Sequence, residues 1–212
     1  MPAMHISRSI TIDKPVSDIR KIVCDFHHWP HWSPWLIAEP DAAIDIREDG
    51  KYYSWSGNRV GSGEMTILNE SDDGVDYDLA FLKPWKSKAK TSFTFNEKGE
   101  STEVTWIMNS SLPWFMFWMK KQMEAYIGND YERGLAMLKE YTEEGKVHSK
   151  LDFIGKQAYP GSQYIALKTE TTIGQMPAQM EKEFTKMMSY IADKRDIVNG
   201  KTFTIYHKWD MV

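Results

Sequence analysis

The sequence predicts an α+β protein in which a seven-stranded antiparallel sheet curves around one long C-terminal helix, with a small strand–helix–strand unit behind it. Three observations carry this. Apolar and polar residues alternate almost throughout residues 42–109, the period of strands that bury one face. After Pro113 the spacing changes to three and four, with no proline between Trp114 and Tyr141, as a long amphipathic helix requires. Periodicity then fades over residues 145–160 and returns in a shorter stretch, which marks a linker and a second, smaller unit.

Residues 5–13 place Ile6, Ile10 and Ile12 on one face of a first strand. Lys14-Pro15 stops it, and Ser17 is positioned to cap a helix that reaches Cys24 through Ile19, Ile22 and Val23. Residues 26–35 contain Pro30, Pro34 and three tryptophans, so they predict a short helix or turn packed by its rings. Six strands follow: Ala42–Arg47, Lys51–Ser56, Gly63–Asn69, Val75–Lys83, Ala89–Phe95 and Thr102–Asn109. Gly57-Asn58, Asp72-Asp73-Gly74, Lys83-Pro84 and Lys98-Gly99 break the chain between them. The helix from Trp114 carries Met123, Ile127, Tyr131, Leu135 and Leu138 on one side and ends near Gly145. A sheet with one apolar face needs a cover, and this helix is the only element long enough to supply it. The first domain therefore spans residues 4–145 and the linker residues 146–160.

The last unit, residues 161–212, reads as a strand over Gln163–Thr172, a helix from Pro177 to about Arg195, and a strand over Thr202–Trp209. Met180, Phe184, Met187, Met188 and Ile191 form the apolar side of its helix. Alone, such a piece buries little surface and leaves sheet edges open.

Composition narrows the function classes. Thirty Asp and Glu against twenty-six Lys and Arg leave a net charge of −4, and no basic stripe offers the footprint that phosphate backbones need, so nucleic acid is not expected as a partner. The single Cys24 rules out an internal disulfide and suits a reducing compartment. The N-terminus lacks the basic and apolar regions of a signal peptide, and no apolar run is long enough to span a bilayer. A cytoplasmic protein without membrane insertion is the expectation. Nine Trp, ten Tyr, nine Phe and thirteen Met suit a cavity wall and a bulky core equally well.

The segments Trp29-Pro-His-Trp-Ser-Pro-Trp35, Tyr53-Ser-Trp-Ser-Gly-Asn58, Gly61-Ser-Gly-Glu-Met65, Thr102-Glu-Val-Thr-Trp106 and Glu132-Arg-Gly-Leu-Ala-Met-Leu-Lys139 resemble the polyketide cyclase/dehydrase branch of the START-related SRPBCC superfamily. The resemblance implies a helix-grip fold with a cavity between the sheet and the long helix, open to small hydrophobic molecules; catalysis varies within that family. Gly161-Ser-Gln-Tyr-Ile-Ala-Leu-Lys168, the helix after Pro177, and Phe203-Thr-Ile-Tyr-His-Lys-Trp-Asp210 resemble the first half of a GyrI-like effector-binding domain. The complete form pairs two such units around a ligand groove, which implies a second site at Tyr206 and Trp209 and a homodimer through the C-terminal unit, or truncation of a longer chain.

The candidate ligand-binding residues are the inward strand positions Tyr53, Trp55, Met65, Tyr77, Phe81, Phe93, Trp106 and Met108, joined by Trp35, Trp114, Phe117, Met123 and Ile127. These bulky residues either line a cavity or fill it. Tyr53, Tyr77 and Asn58 supply polar groups that can orient a ligand. The run Trp114-Phe-Met-Phe-Trp118 is placed at the mouth of the grip, closing the pocket; beside Lys120 and Lys121 it also has the composition of a membrane-surface anchor or a dimer patch. Glu64, Asp78 and Glu103 fall on the outward parity, so no catalytic constellation is visible, and an enzyme reading (cyclase, dehydratase or hydrolase) rests on a shift of register. His27, His28 and His31 have metal-like spacing, but Pro30 interrupts the helix that would align them, so neither a metal site nor a cofactor is expected.

Overall fold

A computed structural model describes residues 3–84, 86–112, 114–148, 155–156, 158, 161–193 and 202–208. The chain divides into two compact units, Met1–Asp152 with Asp210–Val212, and Phe153–Trp209.

The first unit holds seven strands in the order β1-β7-β6-β5-β4-β3-β2, all neighbours antiparallel. They are β1 Ala3–Ile12, β2 Ala43–Ile46, β3 Tyr52–Ser56, β4 Ser62–Glu70, β5 Gly74–Lys83, β6 Ser87–Lys98 and β7 Ser101–Ser111. Each predicted strand is present, and the alternation of buried and exposed positions along β6 and β7 is the predicted one. Pairing of the first strand with the last sets Ile6 opposite Met108 and Ile10 opposite Val104, so two apolar sets meet on one face.

Three short helices bridge β1 and β2: α1 Val16–Val23, α2 Trp29–Trp32 and α3 Pro34–Ala38. Pro30 and Pro34 fall in the first turns of α2 and α3, where a missing N–H costs nothing. Ser17 lies inside α1 rather than at its cap; Pro15 precedes the helix and contributes no side-chain hydrogen bond. The long helix α4 runs Lys120–Glu144 and stops at Gly145, whose φ of 74° suits glycine.

Trp114–Met119, predicted as the head of that helix, forms a separate 3₁₀ stretch instead. Six consecutive large apolar residues would encircle an α-helix, so no single packed stripe could take them all. α4 runs alongside β1: Arg8 Nε pairs with Glu132 (2.5 Å), Lys139 donates to the Thr11 carbonyl (2.8 Å), and the Asp13 N–H donates to Glu143 (2.6 Å). The start of α4 therefore lies at the end of the sheet where β1 begins and β7 finishes.

In the second unit, a 3₁₀ turn Ile173–Gln175 leads into α5, Met176–Tyr190. Met180, Phe184, Met187 and Ile191 are half-buried along one side, whereas Met188 is exposed. The predicted strands do not form a ladder: residues 161–172 and 202–208 are neither helix nor paired strand. They approach each other through Tyr164 and Phe203 (5.5 Å between ring centres), and the Tyr206 hydroxyl donates to Met176 Sδ (3.7 Å). Tyr206 is exposed, and Trp209 lies outside the described residues. None of this unit's described residues is buried, consistent with how little surface a piece of this size removes from water.

Candidate functional site

Register fixes which side chains face α4. Tyr53 sits opposite Met65, Tyr77 opposite Thr91, and Phe93 opposite Trp106, and directly opposed residues share a face. Tyr53, Met65, Tyr77, Phe93, Trp106 and Met108 are accordingly buried, and Trp55 and Phe81 half-buried.

The middle of this face is filled. Trp106 stacks on Tyr131 of α4 (4.0 Å) and on Phe93 (4.8 Å), and takes the edges of Trp35 (5.7 Å), Trp32 (5.8 Å) and Trp29 (6.0 Å). Tyr77 closes the far side against Phe26 (5.8 Å) and Phe93 (6.1 Å). Each such pair adds about 0.5–1.5 kcal/mol beyond its area. Gly134 allows the approach, because a Cβ there would come within 2.8 Å of the Trp106 ring. The rings supply both a core and a floor.

Most polar atoms in this floor are spent locally. The Thr91 hydroxyl donates to the Ile107 carbonyl (2.8 Å), accepts from Trp106 Nε1 (2.9 Å) and meets the Tyr131 hydroxyl (3.0 Å). Tyr77 donates to the Val23 carbonyl (2.7 Å), so its hydroxyl holds α1 in place instead of orienting a ligand. Burial pushes the Tyr53, Tyr77 and Tyr131 hydroxyl pKa values up. Tyr53 makes no hydrogen bond among the described residues, and the buried Nε1 groups of Trp29 and Trp32 have no partner. Unpaired buried donors are costly, on the order of 1–3 kcal/mol each.

The filling thins toward the start of α4. Inward positions there include the small residues Gly63 of β4 and Ala89 of β6. The Trp55 ring lies across Gly63, where a side chain would collide with it, and meets Phe81 edge-on (6.1 Å). Along α4, Tyr131, Leu135 and Leu138 are buried, but Met123 and Ile127 on the same stripe remain half-buried. Trp35 spans to α4 through its Nε1 donating to Asp130 (3.2 Å). The half-exposed apolar set Trp35, Trp55, Phe81, Met123 and Ile127 thus gathers at one end of the grip. Beyond it, Trp114 and Phe117 stand on the surface, 75% and 65% exposed, as an outer lip; the sequence-based expectation had them closing the pocket. A 3₁₀ turn puts residues three apart in line, so these two project together.

Glu39 shapes this end. Although buried, its carboxylate accepts the backbone N–H groups of Asn58 (2.7 Å), Arg59 (2.9 Å) and Val60 (2.8 Å). These bonds, led by the one from Val60, hold its pKa below the usual carboxylate range. The Val60 carbonyl in turn accepts Trp55 Nε1 (3.2 Å). Asn58 therefore serves the site through its backbone N–H.

The expected outward acids lie on the other face. Glu64 accepts from the Tyr52 hydroxyl (3.0 Å), and Glu103 pairs with Lys98 (3.2 Å). His27 bonds Asp25, His28 bonds Tyr141, and His31 stacks on the Tyr141 ring (5.5 Å). Among the described residues, no group of three His, Cys, Asp or Glu is placed to hold a metal ion.

Sequence reasoning missed Glu39, whose partners lie on a hairpin some twenty residues away, and no local pattern announces that. It also missed Arg8. Parity was the available signal, since Arg8 shares the parity of Ile6 and Ile10, and its guanidinium lies against Gly128 of α4.

An antiparallel sheet closed over one long helix, with a ring-packed floor and an apolar opening, defines a helix-grip protein of the START-like class. The chain belongs to the family described as polyketide cyclase / dehydrase and lipid transport, whose profile matches residues 3–143. That fold family binds hydrophobic ligands and includes polyketide cyclases. Among solved structures, the di-domain ARO/CYC StfQ from the steffimycin biosynthetic pathway is similar with a TM-score of 0.54 at 10% identity, covering 68% of this chain and 52% of that one. Protein MLL2253 from Mesorhizobium loti is similar at 0.51 and 11%, covering 68% and 99%. The Aha1 dimer from Colwellia psychrerythraea is similar at 0.50 and 17%, covering 68% and 98%. These likenesses show the fold alone. No curated protein matches. No helix among the described residues is long and apolar enough to cross a membrane.

Proposed function

We propose that the first unit holds a small apolar molecule in the opening between the first turns of α4 and strands β3–β5. One observation carries this reading: the inner stripe of α4 is sealed at Tyr131, Leu135 and Leu138 but half-exposed at Met123 and Ile127, at the same end of the unit as the half-exposed Trp55 and Phe81. An apolar surface left open beside a packed floor gains by being covered, at about 25 cal/mol per Å² buried. The floor limits depth, which favours a flat or short ligand. The Tyr53 hydroxyl, on a ring stacked against Trp55 (5.3 Å), favours a ligand with an acceptor oxygen. The candidate acids face outward or, like Glu39, are committed to backbone, so holding a molecule is better supported than turning one over. The second unit is read as a GyrI-like half whose unburied Tyr164, Leu167 and Phe203 pair with a second copy, in a cytoplasmic homodimer.

Native mass spectrometry against the denatured mass tests both parts. A mass excess that vanishes on denaturation is expected, together with a dimer. Ile127→Trp, which fills the opening, should remove the excess and lower anilinonaphthalene sulfonate binding at least tenfold, with circular dichroism unchanged. Equal probe binding by wild type and Ile127→Trp, with no mass excess, would sink the ligand reading.

A further inference from the structure

Charge in the first unit differs between its ends. The β2–β3, β4–β5 and β6–β7 turns and the finish of α4 carry an acidic excess, Glu48, Asp49, Asp72, Asp73, Glu100, Glu143 and Glu144 against Arg47, Lys51, Lys98 and Lys146. The opposite end carries lysines. Lys83 closes β5, Lys86 immediately precedes β6 and Lys88 is its second residue, all three exposed. The backbone brings them beside the aromatic lip: Phe81 pairs with Ser87, Ala89 pairs with Ser110, and Ser110 Oγ donates to the Lys88 carbonyl (3.2 Å) only a few residues before the 3₁₀ stretch. Lys120 and Lys121 follow that stretch directly. Of the acids nearby, Glu124 is paired with Lys120 (3.7 Å), Glu39 is turned onto backbone, and Asp41 lies toward the β2 edge. Amid this basic ring stand Phe117 and Trp118, 65% and 68% exposed, with Leu82 also exposed at the β5 end.

From this juxtaposition we infer that the end of the grip bearing Phe117, Trp118 and the lysines 83, 86, 88 and 121 is a docking surface for an anionic lipid bilayer. Indole and phenyl rings favour the interfacial layer, and lysines around them are drawn to anionic headgroups. The surface spans nothing; it rests on the membrane, which agrees with the expectation of no membrane insertion and takes up the membrane-surface alternative for the aromatic run. Charge selects this occupant. Two copies joined through this patch would set lysine ring against lysine ring, and the second unit, with eight Lys and Arg against five Asp and Glu over residues 153–209, is no better matched. The inference does not depend on the ligand reading, since it uses side chains outside the opening.

Co-sedimentation of the full chain with vesicles tests it, using phosphatidylcholine alone and phosphatidylcholine mixed with phosphatidylglycerol. Binding to the mixed vesicles only is expected, with a blue shift of tryptophan emission and loss of binding in high salt, where the screening length shrinks from about 10 Å to about 3 Å. Each of Lys83→Ala, Lys86→Ala and Lys88→Ala should weaken partitioning about fivefold. Phe117→Ser with Trp118→Ser should abolish it without moving the thermal midpoint, because both side chains are exposed. Three outcomes overturn the inference: equal binding to both vesicle types, binding to neither, or a concentration-dependent dimer in sedimentation velocity that the Phe117→Ser, Trp118→Ser variant loses.

Discussion

At the scale of single residues, Trp106 holds the floor together by two separable means. Its ring is stacked between Phe93 and Tyr131, and its N–H is the donor that Thr91 accepts. Trp106→Phe keeps much of the ring contact and loses the hydrogen bond, so it should cost about 1 kcal/mol. Trp106→Ala removes both and opens a cavity, at about 3–5 kcal/mol. Urea denaturation of the two variants checks the gap; similar losses would mean the stack contributes little. The inward position of Trp106 was legible from alternation. Its partners on α2 were not, because two prolines erase periodicity around Trp29 and Trp32, and only tertiary packing says where those rings go.

Among elements, the β3–β4 hairpin depends on α3 more than on its own turn residues. Glu39 lends its carboxylate to three consecutive N–H groups, and Gly57 leaves the room, since a Cβ there would press on that carboxylate. Because the folded pKa of Glu39 lies below its ordinary value of 4.5, the unfolded chain binds the proton more readily. The resulting stability is present above about pH 4.5 and is lost as pH falls through the lower folded value. Hydrogen exchange at residues 57–61 should therefore accelerate in that acid window in the wild type. In Glu39→Gln it should be faster at neutral pH and flat across the window; an unchanged profile would show that the hairpin holds itself. Strand existence was readable from the sequence because period-two alternation is strong in β3–β7. The head of α4 was misread because a continuous apolar run fits a helix and a 3₁₀ stretch alike. The tail strands were misread because alternation shows which face could be buried, not whether an edge partner is at hand.

On the scale of the whole first unit, the grip is asymmetric twice over. It is packed solid at one end and half-open at the other, and it is acidic at the packed end and basic at the open one. Net charge conceals the second asymmetry, and composition conceals the first, because the same rings serve as floor in one half and lip in the other. The packed half has a further consequence, which is optical. Trp29 and Trp32 sit with ring centres 4.8 Å apart and planes crossed at 43°, close and skewed enough for their electronic transitions to couple. The protein should therefore show an exciton couplet in its circular dichroism that Trp32→Phe removes while the helix and sheet signals stay. A chain that lost its tight interior but kept its backbone would lose that couplet first, so the crossed indoles act as a built-in gauge of whether the floor is set.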